Sequence, residues 1–166
     1  YETAFVLSII EIFNNKSTIY RSKFQEREKY QVNEYFNNLL GYNFREFPIS
    51  PGSALFRSKD LKSELVVDIL NDFNLDFKKY GAGNDLLLFL KIANKYKFIK
   101  TTKNTKAYFR SHDDSFTISN DLALLYDYSK YYFIHKYQPN FLSVFRTDIW
   151  LEHKLYNKKS KILDII

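Results

Sequence analysis

The carboxylate best placed to do chemistry in this sequence is Asp85. It follows a Gly-Ala-Gly loop at 81–83 and opens the apolar run of residues 86–93. A carboxylate at a helix start, beside poorly solvated surroundings, can act as a general base if a hydroxyl lies within hydrogen-bond reach. The same letters fit a plain helix cap, in which Asn84 or Asp85 accepts hydrogen bonds from free backbone N–H groups. Both interpretations stay open.

A second candidate is the pair Arg110 and His112 at the end of a β-prone run. Side chains two residues apart on an extended backbone point to the same side. They could therefore grip a diphosphate or share a metal-bound oxyanion. The alternative is an ion pair between Arg110 and Asp113 or Asp114 across a tight loop.

The third candidate is the Ser-Pro-Gly-Ser segment at 50–53. Gly52 would let the backbone approach a ligand closely, and Ser50 and Ser53 offer hydroxyl groups to a polar substrate. An ordinary turn explains the same residues. The sequence has no GxSxG, P-loop, HExxH or GxGxxG pattern, which sets aside the corresponding hydrolase, nucleotide-binding and zinc-protease classes.

Composition frames these candidates. With 166 residues, 45% hydrophobic and 27% charged, the chain fits one globular domain or a large part of one. It has no cysteine, which excludes a disulfide scaffold, thiolate metal sites and cysteine nucleophiles. It also has no methionine, so we expect that it has lost its own start, by processing or because it is part of a longer protein. The net charge is +6, and residues 86–112 hold seven basic residues and no acid. Such a block predicts either a solvated face or a surface that attracts phosphate.

The elements that position these residues are predicted from hydrophobic period and turn signals. Helices are expected over residues 4–13, 22–40, from Ser58 or Asp60 to 73, 84–93, 121–137 and about 141–156. Residues 53–57 could form a short strand, and residues 97–101 and 107–110 are expected to form a hairpin or adjacent strands around Asn104. The pattern indicates a helix-rich α/β or α+β chain with about three short strands.

Three segments in this order resemble the C-terminal half of family 2 glycosyltransferases, especially bacterial enzymes that build capsule, O-antigen and related surface polysaccharides. They are residues 50–57, 83–90 and 108–117, and the resemblance covers about residues 46–135. It implies the C-terminal portion of a GT-A fold, an α/β fold whose nucleotide-binding N-terminal half is missing here. The implied organisation is a helical segment (1–45), the acceptor and catalytic half (46–118) and C-terminal helices (119–166), all parts of one incomplete domain.

The resemblance also implies roles for the candidates. Asp85 matches the base that takes a proton from the acceptor hydroxyl during an inverting transfer. Arg110 and His112 match residues that face the donor diphosphate and its Mg²⁺ or Mn²⁺, with His112 as the metal candidate. Ser50, Gly52 and Ser53 would lie on a strand along the sugar site.

Two features depart from the family pattern. Asn84 stands where an acid is usual, and no DxD metal motif lies upstream, so the chain alone is expected to be inactive. The implied partners are a nucleotide-sugar and a glycan or lipid-linked acceptor, with no nucleic acid, in the cytoplasm or at the inner face of its membrane. The aromatic and basic residues of the last two predicted helices suit a membrane interface, and helix packing explains them equally well.

Two other classes of function remain. A nucleic-acid-binding module would use the basic segment and exposed aromatic side chains for stacking. It requires Tyr108 and Phe109 at the surface beside lysines, whereas a transferase would bury most such rings and expose Asp85, Arg110 and His112 in a cleft. A helical interaction domain without a site would leave those three side chains far apart.

Overall fold

A computed structural model describes residues 2–14, 17–22, 27–40, 47–111 and 122–139 of the chain. The strands are β1 (Thr3–Phe13), β2 (Thr18–Arg21), β3 (Lys29–Gln31), β4 (Ala54–Leu55) and β5 (Phe98–Arg110). The helices are α1 (Val32–Leu40), α2 (Ser58–Glu64), α3 (Phe77–Tyr80), α4 (Asn84–Ala93) and α5 (Ala123–Tyr137), and a 3₁₀ turn spans Pro51–Ser53. The protein is therefore α/β, as the sequence predicts.

The strands form one mixed, curled sheet. β1 and β5 are parallel at its centre, from Thr3 opposite Phe98 to Phe13 opposite Arg110. The long connection between these two strands contains the other described strands and ends with α4; parallel neighbours need such a crossover, which usually contains a helix. β3 adds antiparallel to β5, and β2 and β4 add antiparallel to the other edge of β1.

The helix predicted over residues 4–13 is wrong, because this segment is the central strand β1. Ala4, Phe5, Leu7, Ile9 and Ile10 are all buried, so both faces of the strand are covered. A strand buried on both sides has a continuous apolar run rather than an alternating one, and such a run cannot be told from a buried helix by period. The predicted helical segment 1–45 is accordingly three strands and one helix in its described part.

The predicted hairpin is also wrong, because residues 98–110 form the single strand β5. Its pairing with β1 jumps from Ser8 opposite Thr102 to Ile9 opposite Lys106. Three residues around Asn104 are therefore accommodated in a bulge instead of a reversing turn. With 11 residues in β1 and 13 in β5, the prediction of only short strands fails as well.

The helix predictions fare better. α1 buries the predicted face, but begins at Val32 rather than near residue 22. α4 occupies its predicted span, and α5 lies within 121–137. α2 ends at Glu64, and the apolar residues that follow are not helical; Leu65, Val67 and Leu70 are exposed. The helix predicted over 141–156 lies outside the described residues.

Aromatic rings fill the core between the sheet and the helices. Phe5 of β1 contacts Phe89 of α4 and Phe56 beyond β4, at centroid distances of 5.1 and 5.3 Å. Tyr35 and Phe36 of α1 extend the cluster, and Phe36 meets Phe133 of α5 at 5.4 Å. Much of the high aromatic content is thus explained by packing, which fixes α4 against β1.

Candidate functional site

The end of α4 lies beside the amino ends of the two parallel strands. Beyond this end of the helix, the backbone N–H groups of Lys97 and Phe98 both donate to the carbonyl oxygen of Glu2, each at 3.1 Å. The amino ends of β1 and β5 are therefore adjacent to the end of α4, and Asp85 stands at the opposite end of this helix. In open α/β sheets, ligands bind at the carboxyl ends of the strands.

The loop before α4 is held tightly against α5. Gly83 has φ +81°, and a Cβ added to it would lie 2.7 Å from the carbonyl oxygen of Leu125 and closer still to Oγ of Ser129. Only glycine fits this approach without displacing α5. The backbone that carries Asp85 is thereby fixed in position relative to α5.

Asn84 joins this loop to two others. Its buried side-chain amide donates to the carbonyl oxygen of Val67 at 2.9 Å and to that of Phe77 at 3.3 Å. Its own Oδ1 is buried with no hydrogen-bond partner among the described residues. An amide can donate to two carbonyl groups and an ionised carboxylate cannot. The two carbonyl groups of Val67 and Phe77 therefore require an amide at position 84.

The carboxylate of Asp85 has two described partners. Oδ1 accepts from the backbone N–H of Leu86 at 2.8 Å, and Oδ2 accepts from the hydroxyl of Tyr126 at 3.2 Å. The residue at the N-cap of α4 is Gly83 rather than Asn84 or Asp85, and no side chain caps the helix there. Asp85 stands in the first turn, where it accepts from one free N–H, and it also lies against α5. Burial raises the pKa of Asp85, and its hydrogen bonds only partly oppose that shift. A half-buried carboxylate with a raised pKa is a better proton acceptor than an exposed one.

The Ser-Pro-Gly-Ser segment is a 3₁₀ turn rather than the predicted strand, which begins only at Ala54. The hydroxyl of Ser53 is buried and donates to the carbonyl oxygen of Ser50 at 2.8 Å. That serine is therefore engaged in the turn itself. Gly52 is exposed, and a Cβ placed on it would lie 3.6 Å from the ring of Phe109. The turn accordingly rests against the carboxyl-terminal part of β5.

Arg110 is the last residue of β5 and lies opposite Phe13. His112 lies outside the described residues, as do Asp113 and Asp114. The structure brings Gly52 to Phe109, and Asp85 to Tyr126. The convergence of Asp85 with Arg110 and His112 in one cleft stays a prediction.

The lysines of residues 86–112 do not form an isolated cationic patch. Lys91 and Lys95 both pair with Glu64 of α2. Lys97 pairs with Glu2 at 3.1 Å, and Lys106 with Glu11 at 2.8 Å. Three acids from other parts of the chain therefore pair with four of the seven basic residues, and the phosphate-attracting surface predicted from the linear charge count is correspondingly reduced.

Tyr126 is the site residue that sequence reasoning missed. It stands 41 positions from Asp85 and looks like one more aromatic residue of a packed helix. No local pattern marks it, because only the tertiary contact between α4 and α5 gives its hydroxyl a partner.

Neither a metal cluster nor a membrane span is found in the described part of the chain. Among these residues no three His, Asp or Glu side chains gather as ligands for an ion. No described helix is long and apolar enough to cross a bilayer.

No family model, curated protein or solved structure matches this chain. The fold and the site define an α/β protein with a mixed sheet and a half-buried aspartate at a helix start. Any narrower assignment depends on the motif resemblance and on the geometry around Asp85.

Proposed function

We propose that this chain is the C-terminal portion of a GT-A glycosyltransferase that acts in bacterial surface polysaccharide synthesis. The enzyme would transfer a sugar from a nucleoside-diphosphate donor to a glycan or lipid-linked acceptor, with inversion at the anomeric carbon. The donor-binding half and its divalent cation lie outside these 166 residues in this proposal. Such an enzyme would act in the cytoplasm or at the inner face of the cytoplasmic membrane.

The observation that carries the proposal is the environment of Asp85. The carboxylate is half-buried, stands in the first turn of α4 and is held by a backbone N–H and a tyrosine hydroxyl. It would take the proton of the acceptor hydroxyl while that oxygen bonds to the anomeric carbon. The bond from that carbon to the phosphate oxygen breaks in the same step, and the nucleoside diphosphate leaves with the bonding electrons.

The other candidates fit around this base. Arg110, at the carboxyl end of β5, would face the developing negative charge of the diphosphate, where a cation is most effective. His112 follows it as the candidate metal-facing residue. Gly52 and Ser50, on the turn beside β5, would lie along the sugar, while Ser53 holds the turn together.

The test uses the natural full-length protein that contains this chain. Release of nucleoside diphosphate is measured over a panel of UDP-, GDP- and dTDP-sugars, with a bacterial lipid extract as the acceptor source. Asp85→Asn should lower turnover by about a hundredfold or more, the usual contribution of a general base. The exposed Asp68 provides the matched control, and Asp68→Asn should leave turnover unchanged. Equal turnover of Asp85→Asn and the natural protein refutes the proposal.

One observation favours the alternative, a nucleic-acid-binding module. Tyr108 is 62% exposed on β5, close to Lys106, as a stacking surface requires. However, Glu11 lies opposite Tyr108 and pairs with Lys106, which places negative charge on the same surface. Fluorescence anisotropy with single-stranded DNA and RNA at low salt separates the two: tight binding that Tyr108→Ala removes would favour the alternative.

A further inference from the structure

We propose that Tyr126 is a positioning residue for Asp85, holding the carboxylate in one orientation and in its ionised, proton-accepting form. As a role in catalysis, this inference rests on the function proposed above. As a statement about one hydrogen bond between α4 and α5, it can be tested in the protein without any assay of transfer.

Two hydrogen bonds fix the orientation of the Asp85 carboxylate. With Oδ1 bonded to the N–H of Leu86 and Oδ2 bonded to the hydroxyl of Tyr126, both oxygens of Asp85 are anchored and the carboxylate plane is fixed. A base that cannot rotate keeps its remaining lone pairs aimed in one direction. Fixed orientation of a reacting group is a substantial part of catalytic rate.

The packing of α5 makes the hydroxyl a reliable partner. Leu125 and Ser129, one turn apart, contact Gly83 so closely that the loop cannot shift along the helix. Ser129 is itself fully buried and donates to the carbonyl oxygen of Leu125 at 2.9 Å. Tyr126 extends from this rigid turn, so its position relative to Asp85 is set by contacts at the level of the backbone.

The hydrogen bond from Tyr126 also affects the pKa of Asp85. Burial raises the pKa of Asp85, and the N–H groups of Leu86, Asp85 and Gly83, together with the Tyr126 hydroxyl, oppose that shift. Tyr126 is the titratable side chain that faces Asp85 from α5; the other groups acting on the carboxylate are backbone N–H groups of its own helix and loop. Burial, with the charge of Asp85, raises the pKa of Tyr126 far above its usual value. The phenol therefore remains protonated, and a donor, over the whole physiological range.

The direct experiment is an NMR titration of the Asp85 carboxyl carbon in the 166-residue protein. Tyr126→Phe removes a donor to the charged form, so the pKa of Asp85 should be higher in this variant than in the natural sequence. Tyr128→Phe is the matched control, because it removes another hydroxyl from α5 that has no described hydrogen bond to Asp85. An unchanged pKa of Asp85 in Tyr126→Phe overturns the inference.

A second variant shows whether a changed pKa in Tyr126→Phe comes from the lost hydrogen bond or from a disturbed fold. Difluorotyrosine placed at position 126 keeps the ring and makes its hydroxyl a stronger donor. It should shift the pKa of Asp85 downward, opposite to Tyr126→Phe. A shift in the same direction for both variants, or none for the fluorinated one, contradicts the proposed hydrogen bond.

Kinetics of the full-length protein test the catalytic role. Tyr126→Phe should lower kcat by about ten- to a hundredfold, the effect of losing one hydrogen bond to a charged group, and move the acidic limb of the pH profile of kcat/KM to higher pH. Tyr128→Phe should change neither kcat nor the acidic limb of the pH profile. Suppose that Asp85→Asn stops transfer but Tyr126→Phe does not move the acidic limb of the pH profile of kcat/KM. The positioning role of Tyr126 is then wrong, and the proposed function is retained. If Asp85→Asn leaves transfer intact, the proposed function fails, and with it any catalytic role for Tyr126, whatever the titration shows of the hydrogen bond.

Discussion

Gly83 and Ser129 lie so close together that no side chain fits between them. A Cβ on Gly83 would enter the space of the Ser129 hydroxyl and come within 2.7 Å of the carbonyl oxygen of Leu125. Since Gly83 is the residue from which α4 begins, this contact fixes the helix start against α5. The position of Asp85 therefore depends on a residue that has no functional group.

Gly83→Ala should lower the free energy of unfolding by about 2–5 kcal/mol. A left-handed φ of +81° costs an ordinary residue about 1–2 kcal/mol, and the forced contact with α5 adds about 1–3 kcal/mol. Gly81 is the matched control, because its φ is +63° but a Cβ there meets nothing within 4 Å. Gly81→Ala should cost only the backbone part, about 1–2 kcal/mol. Urea denaturation of the two variants measures both losses in the free energy of unfolding. Equal losses would show that the close contact between Gly83 and α5 adds nothing to the cost of the substitution.

Asn84→Asp should destabilise the protein even though it restores the acid of the family pattern. The amide donates to the carbonyl oxygens of Val67 and Phe77, and an ionised carboxylate there would face both oxygens without a donor. A buried charge without a partner costs about 3–5 kcal/mol at neutral pH. The free energy of unfolding at pH 7 measures this loss.

The control for that substitution is Asn84→Ala, which removes both hydrogen bonds without adding charge. It should cost about 1–3 kcal/mol, the usual penalty for unsatisfied buried groups. The difference between the two variants isolates the effect of the charge. A gain in stability with Asn84→Asp would mean that the loop prefers an acid after all.

Asp60 is expected to be a structural acid rather than a catalytic one. It is 4% exposed, and its oxygens accept from the Tyr96 hydroxyl and from Nε of Arg57, all at 2.9 Å. Arg57 also donates to the carbonyl oxygens of Thr3 and Ala4, which attaches α2 to the start of β1. Asp60→Ala would leave the guanidinium without its acid and should cost about 3–5 kcal/mol.

Tyr96→Phe tests the same cluster with a smaller change. Losing one hydrogen bond to a charged group should cost about 1.5–3 kcal/mol. Asp68→Ala, at an exposed position, should stay within about 0.5 kcal/mol of the natural protein. Thermal unfolding of the three variants should therefore rank them Asp60→Ala, Tyr96→Phe and Asp68→Ala, from most to least destabilised; a different order would contradict this account of the cluster.

The helices of this fold could be predicted from the sequence where their signals are local. α1 shows a clear helical period, and α4 follows a glycine loop with polar residues at its start. β1 could not be predicted, since a strand covered on both faces has no alternation to detect. β5 could not either, because the polar residues around Asn104 suggest a reversal, and only pairing with β1 reveals a bulge.

The same limit applies to the site. Asp85 can be found because a glycine loop, an acid and an apolar helix adjoin one another in the sequence. Tyr126 and Glu64 cannot, since each meets its partner across elements: Tyr126 reaches α4 from α5, and Glu64 reaches Lys91 from α2. A site residue can be predicted from one sequence when its signals lie in neighbouring positions. The side chains that contact it from other elements cannot, because only the tertiary structure brings them together.

The two half-buried acids Asp85 and Glu64 should show opposite pH dependences of stability. Burial raises the pKa of Asp85 above its ordinary value of 3.8, so the folded state holds this proton more tightly than the unfolded state does. Stability from this group is present below pH 3.8 and is lost as the pH rises through the folded pKa. The free energy of unfolding of Asp85→Asn, relative to the natural protein, should therefore increase between acid and neutral pH.

The stabilisation from Glu64 should change with pH in the opposite direction. Burial acts to raise its pKa, but hydrogen bonds from Lys95, Lys91 and Ser63 outweigh burial and hold the pKa below its ordinary value of 4.5. Its stabilisation is present above pH 4.5 and is lost as the pH falls through the folded pKa, so Glu64→Gln should be less stable than the natural protein at pH 7 and approach it in acid. Urea denaturation from pH 3 to pH 7 yields both curves. Curves of the same slope would mean that Asp85 is not desolvated, and the case for a general base at that position would lose its physical support.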